Sequence, residues 1–383
     1  MVFQTFTFTF LYLIFIISIS PILGTSQCTD LTGSVFTFQN DIRIRTFCGA
    51  QEEFDINIGA GGAISALYDI QNNNTALIGP EYIWESTDRI FQWVWWDGIK
   101  VPISGIPDDR YNINQGGNSL GGTLDSAGKF ARIMQVYLKT KKLSVEVYSV
   151  QDNQFYPQLD QHIKSKISAY TQYQIDGGDI RIRRVFLIGD TEVDDVETDL
   201  KGSYIEAWTP MNAAQFDAMA LQLGPTGDPL WWYRYNHNIS YYPQIPVANT
   251  HGYSVAYSEV NSESNVAVGL AFGNKNPNIG IYNFNSMEWQ QGTKFIGMLP
   301  GIQTPSLKKR TVIDMELFLI PLRKLDADAV KRLEDRSAEV KAPMVYQPND
   351  KLTRDLRKIV KKLKKNQNKN GIRTNHLAPL IKS

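Results

Sequence analysis

Histidine and cysteine are scarce in this chain of 383 residues, which contains four of the first and two of the second. The histidines are His162, His237, His251 and His376. Neither they nor the cysteines show the spacing of a zinc site, and the sequence has no Gly-rich phosphate loop and no nucleophile elbow. An even cysteine pair in a secreted chain most simply forms one structural disulfide, which predicts a bond between Cys28 and Cys48.

Charge is missing from the N-terminus, because residues 1–27 contain no charged side chain. The segment from Phe8 to Ile17 is apolar, and Pro21 and Gly24 follow it, an order typical of a cleaved signal peptide. We expect residues 1–24 to be that peptide and the mature chain to be secreted and extracellular. The alternative is an uncleaved anchor helix, since roughly 20 apolar residues nearly span a bilayer.

Two sequons for N-glycosylation fit an exported chain. Asn73 begins Asn-Asn-Thr within the polar stretch "QNNNT", which predicts an exposed turn that tolerates a glycan. Asn238 begins Asn-Ile-Ser beside several aromatic residues. Both are candidate glycosylation sites.

Period-two alternation dominates the chain up to residue 324. The runs "SVFTFQ" and "IRIRTF" alternate apolar and polar residues, and "DGGD" (residues 176–179) is a strong hairpin signal between two further alternating runs. Many strands without interleaved helices predict a mainly β protein, an antiparallel β-sandwich or supersandwich, over residues 25–324. One packed helix is expected at residues 209–224, where Thr209 can cap, Pro210 suits the first turn and Gly224 ends it.

The C-terminus, residues 325–383, is predicted to be a helical and basic extension. From Lys351 onward there are eleven Lys or Arg and one acid, a net charge of +10, so the rest of this neutral chain is acidic. Leu352, Leu356, Ile359 and Leu363 fall on one helical stripe. Such a helix can lie on an anionic membrane, a sulfated polysaccharide or an acidic matrix protein, or fold back on the acidic body. Nucleic acid is not an expected partner in this compartment.

The segment "INIGAGGAISALYDIQNNNTALIGP" combines strands, a Gly-Gly pair and a polar turn. Across residues 52–97 it resembles the opening strands of galactose-mutarotase-like β-supersandwich proteins, a superfamily that includes domains of carbohydrate-active enzymes. The resemblance implies a carbohydrate-binding face on a concave sheet. Mutarotases use a His and a Glu as acid and base, and neither position is matched here.

Tryptophan is concentrated in "FQWVWWDGIK". A doubly covered central strand explains such a run, and so does an open face whose indole rings stack on sugar. Polar groups follow at once in "PDDRYNINQGGN", which favours a binding surface. The candidate ligand-binding residues here are Trp93, Trp95, Trp96, Asp97, Asn112 and Gln115.

A second aromatic cluster, "WWYRYNHNISYYPQ", is expected on a loop or an edge. It adds Trp231, Trp232 and Tyr233 to the ligand-binding candidates, and Trp208 joins them from "YIEAWTP". A carboxylate flanked by aromatic residues can act as a general acid or base, although an ordinary solvent-side Glu is the simpler interpretation. The candidate catalytic residues are Glu206, His251 (predicted in a turn), Arg110 and Arg234.

The acidic stretch "GDTEVDDVETD" suggests weak calcium binding through Asp190, Glu192 and Asp194, with a solvated hairpin as the alternative. No other cofactor is expected. The sequence thus predicts a secreted, glycosylated protein that binds carbohydrate or another extracellular matrix component. The alternatives are a polysaccharide lyase or sugar epimerase, and a structural matrix or biomineral-associated protein.

Overall fold

The computed structural model describes residues 28, 30–38, 41–58, 64–78, 92–94, 132–156, 161–164, 167–188, 200–212, 216, 218–223, 245–246, 250–257, 266–275, 279–289, 293–307 and 310–370. The strands in this part of the chain are β1 (Leu31–Phe38), β2 (Asp41–Cys48), β3 (Gln51–Ile58), β4 (Ile64–Asp69), β5 (Thr75–Ile78), β6 (Gln92–Val94), β7 (Arg132–Lys141), β8 (Ser144–Tyr156), β9 (Gln161–Lys164), β10 (Ile167–Asp176), β11 (Asp179–Ile188), β12 (Leu200–Asn212), β13 (Ala218–Leu223), β14 (Ile245–Pro246), β15 (Thr250–Tyr257), β16 (Ala267–Ala271), β17 (Ile279–Trp289), β18 (Thr293–Leu307), β19 (Val312–Leu322) and β20 (Met344–Tyr346). The helices are α1 (Ala327–Glu339) and α2 (Lys351–Asn370).

The strands form three antiparallel sheets, as expected for the predicted mainly β fold. The first is the meander β1-β2-β3-β4-β5. The second, the large sheet, runs β13-β15-β16-β19-β11-β10-β8-β7, with β20 added to β19 and β9 added to β8. The third runs β14-β17-β18-β12-β6.

The predicted hairpins form where the sequence places their turns. β1 and β2 pair from Phe38 opposite Asp41, and Asp176 lies opposite Asp179 around a Gly-Gly turn. Gly177 there has φ of +62°, a left-handed conformation that glycine adopts without a Cβ clash. Local alternation and turn chemistry therefore suffice for these neighbouring pairs.

The helix predicted at residues 209–224 is wrong. Thr209 and Asn212 belong to β12 and pair with Met298 and Phe295 of β18, while residues 218–223 form β13 at an edge of the large sheet. Cap and stop residues express a weak local preference, and pairing with strands distant in sequence overrides it. The helices that pack on the large sheet are instead α1 and α2, both from the C-terminal part of the chain.

The first sheet packs against the large sheet. A Cβ added to Gly33 of β1 would stand 2.6 Å from Cγ2 of Ile175 in β10. Arg323, just after β19, binds the carboxylates of Glu53 and Asp69 in the first sheet, and its guanidinium lies 4.2 Å from the ring centre of Phe54. The two sheets are thus joined by close packing of Gly33 against the Ile175 side chain and by a partly buried group of ion pairs.

Helix α1 covers one end of the large sheet's outer face. Its Ala329 and Leu333 pack in a buried cluster with Tyr253, Phe318 and Ile320 of the sheet. Asp326 caps the helix by accepting a hydrogen bond from the Ala329 amide at 3.0 Å. A C-terminal helix that is amphipathic by sequence therefore becomes part of the main core.

Helix α2 covers the other end of the same face. Leu356 is buried with Val185, Leu187 and Val312, and Leu352 packs beside them. Between the helices, residues 344–346 form β20, which pairs with β19. The domain boundary between residues 324 and 325 stays a prediction. β20, which follows this boundary, pairs with β19, which precedes it.

The helices in the described part of the chain include none with the length and apolar character that a bilayer crossing requires.

Candidate functional site

The outer face of the large sheet carries a polar patch between its two helix-covered ends. The strand register sets Gln172 of β10, Arg183 of β11 and Glu316 of β19 side by side, because directly opposed residues in antiparallel strands share a face. Gln174 lies opposite Arg181 in the next row. Polar side chains that can form hydrogen bonds therefore lie next to one another on three neighbouring strands.

This patch is the floor of an open cavity of about 280 Å³, which we call the interhelix groove. Its floor residues are Gln172, Gln174, Arg181, Arg183, Asp314, Met315 and Glu316. Its wall is the segment that joins α1 to α2, through Lys341, Ala342, Met344 and Tyr346. A small cavity with convergent polar groups has the composition of a ligand site.

Arg183 and Asp314 form a bidentate ion pair in the groove. Arg183 donates from Nε and Nη2 to the two carboxylate oxygens of Asp314, at 2.9 and 2.6 Å. These hydrogen bonds raise the pKa of Arg183 above its ordinary value, against the lowering effect of partial burial. The two side chains hold each other in a fixed bidentate geometry, which orients their remaining polar atoms.

Arg181 and Glu316 are less completely satisfied. Nη2 of Arg181 lies 3.2 Å from Oε1 of Glu316, an ion pair that lacks the geometry of a hydrogen bond. Among the described residues, neither Oε1 of Glu316 nor Nε of Arg181 has a hydrogen-bond partner. The Glu316 side chain is only 8% exposed, so this oxygen is a buried acceptor that faces Arg181 without a hydrogen bond.

The groove thus offers a carboxylate acceptor, guanidinium and amide donors and the phenol of Tyr346 around one small volume. Hydroxyl groups both donate and accept, so a ligand with several hydroxyls matches such a mixed set. Ligands with an apolar surface match it less well, because two arginines, a lysine and two acids line the groove.

Sequence reasoning missed this groove, although its signal was present. The runs "IRIRRVFLIG" and "TVIDMELFLI" were expected only as strands. Charged residues at alternate positions of a largely apolar strand, Arg181 and Arg183 in one and Asp314 and Glu316 in the other, indicate a charged face. What the sequence lacks is the information that these strands are neighbours, since Arg183 and Asp314 are 131 residues apart.

Two of the predicted sites are brought together in the third sheet. β6 pairs with β12 so that Trp93 lies opposite Ala207, with Glu206 opposite Val94. Trp208 lies opposite Gln92 in the same pairing. The aromatic strand and the strand of the candidate acid are thus adjacent, a relationship that sequence analysis did not predict.

His251 lies in β15, so its predicted position in a turn is wrong. It is buried beneath α1, where Nδ1 is 3.7 Å from a carboxylate oxygen of Glu334 and its ring meets that of Tyr253 edge-on. The carbonyl of His251 accepts a 2.6 Å hydrogen bond from Oγ of Ser337. These contacts seat the helix on the sheet, while the catalytic hypothesis for His251 stays a prediction.

The remaining predicted site residues lie outside the described residues. These are Trp95, Trp96, Asp97, Arg110, Asn112, Gln115, Asp190, Glu192, Asp194, Trp231, Trp232, Tyr233, Arg234 and Asn238. Within the residues that the structure does describe, no group of three or more His, Cys, Asp and Glu side chains is arranged to hold a metal ion.

The predicted disulfide is confirmed. Cys28 and Cys48 are bonded, with their Cα atoms 5.6 Å apart, and the bond ties the residues before β1 to the end of β2. Asn73 lies in the exposed turn between β4 and β5 with φ of +51°. Asn73 is exposed there, as glycosylation requires, and its glycosylation stays a prediction.

No protein-family model matches the chain, and no curated protein matches it. Among solved structures, it is similar in fold to a galactose mutarotase-like protein from Lactobacillus casei (10% identity, TM-score 0.36, covering 70% of this chain and 97% of that one). It is also similar to a galactose mutarotase-like protein from Clostridium acetobutylicum (11%, TM-score 0.35, 76% and 98%). A xanthan lyase from Paenibacillus matches with 10% identity and a TM-score of 0.37, over 79% of this chain and 26% of that one.

All three TM-scores lie below 0.5, a level that supports no transfer of residue roles. Two of these structures are named galactose mutarotase-like proteins, the same class that residues 52–97 resemble in sequence. The class that the chain's own sheets define is a mainly antiparallel β-sandwich with two packed helices.

Proposed function

We propose that this protein is an exported β-sandwich protein that binds carbohydrate, free or as part of the extracellular matrix, in the interhelix groove. The observation that carries the proposal is Glu316, a buried carboxylate at the floor of an open groove, whose Oε1 is ion-paired with Arg181 but has no hydrogen-bond partner among the described residues. A buried acceptor that makes no hydrogen bond is costly, and a ligand hydroxyl that reaches the Glu316 carboxylate relieves that cost on binding.

The other groove residues support a polyhydroxylated ligand of one or two sugar rings. The cavity of about 280 Å³ is small, and its donors and acceptors alternate along the floor from Gln174 to Asp314. The solved structures of similar fold are named for carbohydrate chemistry, which agrees with the proposal without carrying it.

Export and glycosylation are parts of the same proposal. They rest on the uncharged N-terminal segment, on the single disulfide and on the exposed turn at Asn73. Expression through a secretory pathway tests them: N-terminal sequencing of the secreted protein should begin after residue 24, and Asn73→Gln should remove one glycan. A full-length chain retained in the membrane fraction overturns this part.

Groove binding is tested with a glycan array, followed by calorimetry with the glycan that binds best. Glu316→Gln keeps the shape of the side chain and removes its charge, and we expect affinity to fall about tenfold or more, the usual cost of losing a charged hydrogen-bond acceptor. Glu52→Gln is the matched control, because Glu52 also pairs with an arginine, Arg45, but lies outside the groove. Equal affinity of Glu316→Gln and the unmodified protein contradicts the proposal.

A second candidate function is a carbohydrate-active enzyme of the lyase or epimerase type. It is favoured by the pairing of β6 with β12, which sets the backbone of Glu206 beside the tryptophan-rich strand. Assays with acidic polysaccharides and free aldoses, in the unmodified protein and in Glu206→Gln, distinguish it from simple binding. Turnover that is lost in Glu206→Gln while binding persists identifies the enzyme, and no turnover on any substrate class rejects it.

A further inference from the structure

Helix α2 presents a straight line of positive charge to solvent. Lys351, Arg354, Lys358, Lys361 and Lys365 are all exposed and follow one another at intervals of three and four residues. Residues at this spacing lie on one face of a helix, one above the other. At 1.5 Å per residue the line, which we call the cationic stripe, is roughly 21 Å long.

The opposite face of α2 is already used for folding. Thr353 and Leu356 are buried, and Leu356 packs on Val185, Leu187 and Val312 of the large sheet. An amphipathic helix binds a bilayer by inserting its apolar face among the lipid chains. Because the apolar face of α2 contacts the sheet from Leu352 to Leu356, this part of the helix cannot do so without leaving the fold.

The stripe is also weakly neutralised by the protein itself. In the described part of α2 the one ion pair is between Lys358 and Asp355, at 3.6 Å, and both side chains are exposed to solvent. Asp355 is the single acid of the helix, against nine lysines and arginines. The line of charge therefore faces outward, where an anionic partner can reach it.

We propose that the cationic stripe of α2 binds a linear sulfated polysaccharide. Such a polymer carries anionic groups at near-regular intervals along a stiff chain, and a straight row of cations on a docked helix complements it along its length. A nucleic acid is the less suitable polyanion, because residues 351–370 contain no aromatic side chain on which a base can stack. The inference is independent of the interhelix groove, whose floor residues belong to the sheet.

The test uses the full-length protein and a short heparin oligosaccharide, with affinity measured by calorimetry over a range of salt concentrations. In the stripe variant, Lys358→Gln, Lys361→Gln and Lys365→Gln are combined. We expect its affinity to fall about tenfold or more, and the slope of log Kd against log salt to decrease by about two to three, one unit for each cation removed from the contact.

The matched control combines Lys142→Gln, Arg310→Gln and Lys324→Gln, three exposed cations elsewhere on the surface, and therefore changes the net charge equally. We expect its affinity for heparin to stay within about twofold of the unmodified protein. An equal loss in both variants overturns the proposal, because the effect then belongs to net charge and not to the stripe.

Three further probes decide between partners. Vesicles of phosphatidylcholine and phosphatidylserine, poly-glutamate and single-stranded DNA are each compared with heparin at the same salt concentration. Stronger binding to heparin than to all three, lost in the stripe variant alone, supports the proposal. Equal or stronger binding to any of them overturns it in favour of a membrane, an acidic protein or a nucleic acid.

Discussion

Arg336 in helix α1 donates from Nε to the carboxylate of Asp179 at 2.7 Å, across 157 residues of sequence. Arg332, one turn earlier, binds the same carboxylate, whose side chain is only 2% exposed. Burial acts to lower the pKa of Arg336, but the hydrogen bond and charge of Asp179 outweigh it and raise that pKa above its ordinary value. Asp179 begins β11, so this pair anchors the helix to the hairpin that holds the arginines of the groove.

Asp179→Ala is expected to destabilise the protein by about 3–5 kcal/mol, because it leaves two partly buried guanidinium groups without their shared carboxylate. Urea unfolding followed by circular dichroism measures the change in free energy. The control is Asp335→Ala, which breaks an exposed pair with Lys331 on the same helix and should leave the midpoint unchanged. A similar midpoint for both variants would show that the buried pair contributes no more than a surface pair.

Gly252→Ala should destabilise the protein more than Gly49→Ala does. Both glycines have left-handed backbones, with φ of +78° and +58°. An added Cβ at Gly252 would stand 2.5 Å from the carbonyl carbon of Gly273 and 2.4 Å from Oγ of Ser337, whereas one at Gly49 meets nothing within 4 Å.

We expect about 1–2 kcal/mol for Gly49→Ala, the cost of a left-handed residue with a side chain. For Gly252→Ala we expect at least about 3 kcal/mol, because the backbone or helix α1 must also move. The free energies of unfolding of the two variants check this difference. Equal losses would mean that the helix is not seated as closely on β15 as the contacts indicate.

Leu356→Ala should loosen helix α2. The side chain is 8% exposed and packs on three apolar residues of the large sheet, so its removal should cost about 2–3 kcal/mol of docking free energy. Limited digestion with trypsin is a direct readout, because the helix is rich in lysine and arginine, and cleavage within 351–370 should become faster.

Ile359→Ala is the control for that experiment, since Ile359 is 38% exposed on the same helix. It should leave the rate of cleavage almost unchanged. Faster cleavage in this variant than in Leu356→Ala would place the docking contacts further along the helix than Leu356.

Replacing both Cys28 and Cys48 by serine should destabilise the first sheet. The bond closes a loop of 20 residues, for which the chain-entropy model gives about 3 kcal/mol. Thermal unfolding of the double variant, compared with the oxidised and the reduced parent protein, measures the effect. The reduced parent should unfold at the same temperature as the variant, and a variant as stable as the oxidised parent would contradict the prediction.

The hairpins, the terminal helices and the disulfide could be predicted because each depends on residues close together in sequence. Asp176-Gly177-Gly178-Asp179 specifies a turn by its own backbone preferences, and the alternation on either side of it specifies strands. The error at residues 209–224 has the same origin. Cap and stop residues suggested a helix, but pairing of Thr209 with Met298 and of Met219 with Ala256 decided in favour of strands.

The groove could not be predicted in this way, because its floor combines β10, β11 and β19. The alternation of residues within one strand does not show which strands lie beside it. Which strand lies beside which is decided by burial summed over the whole sheet.

By itself, then, the sequence determined the kinds of element, the covalent bond between the cysteines and the separation of an acidic body from a basic helix. Only the tertiary structure decided that Arg183 meets Asp314 and that Oε1 of Glu316 lies under an open groove without a hydrogen-bond partner among the described residues. It also decided that α2 packs Leu352 and Leu356 on the sheet and turns its cationic stripe to solvent. The physical reason is range: turn and helix preferences act over a few residues, whereas side-chain partners across a sheet are set by the packing of the entire chain.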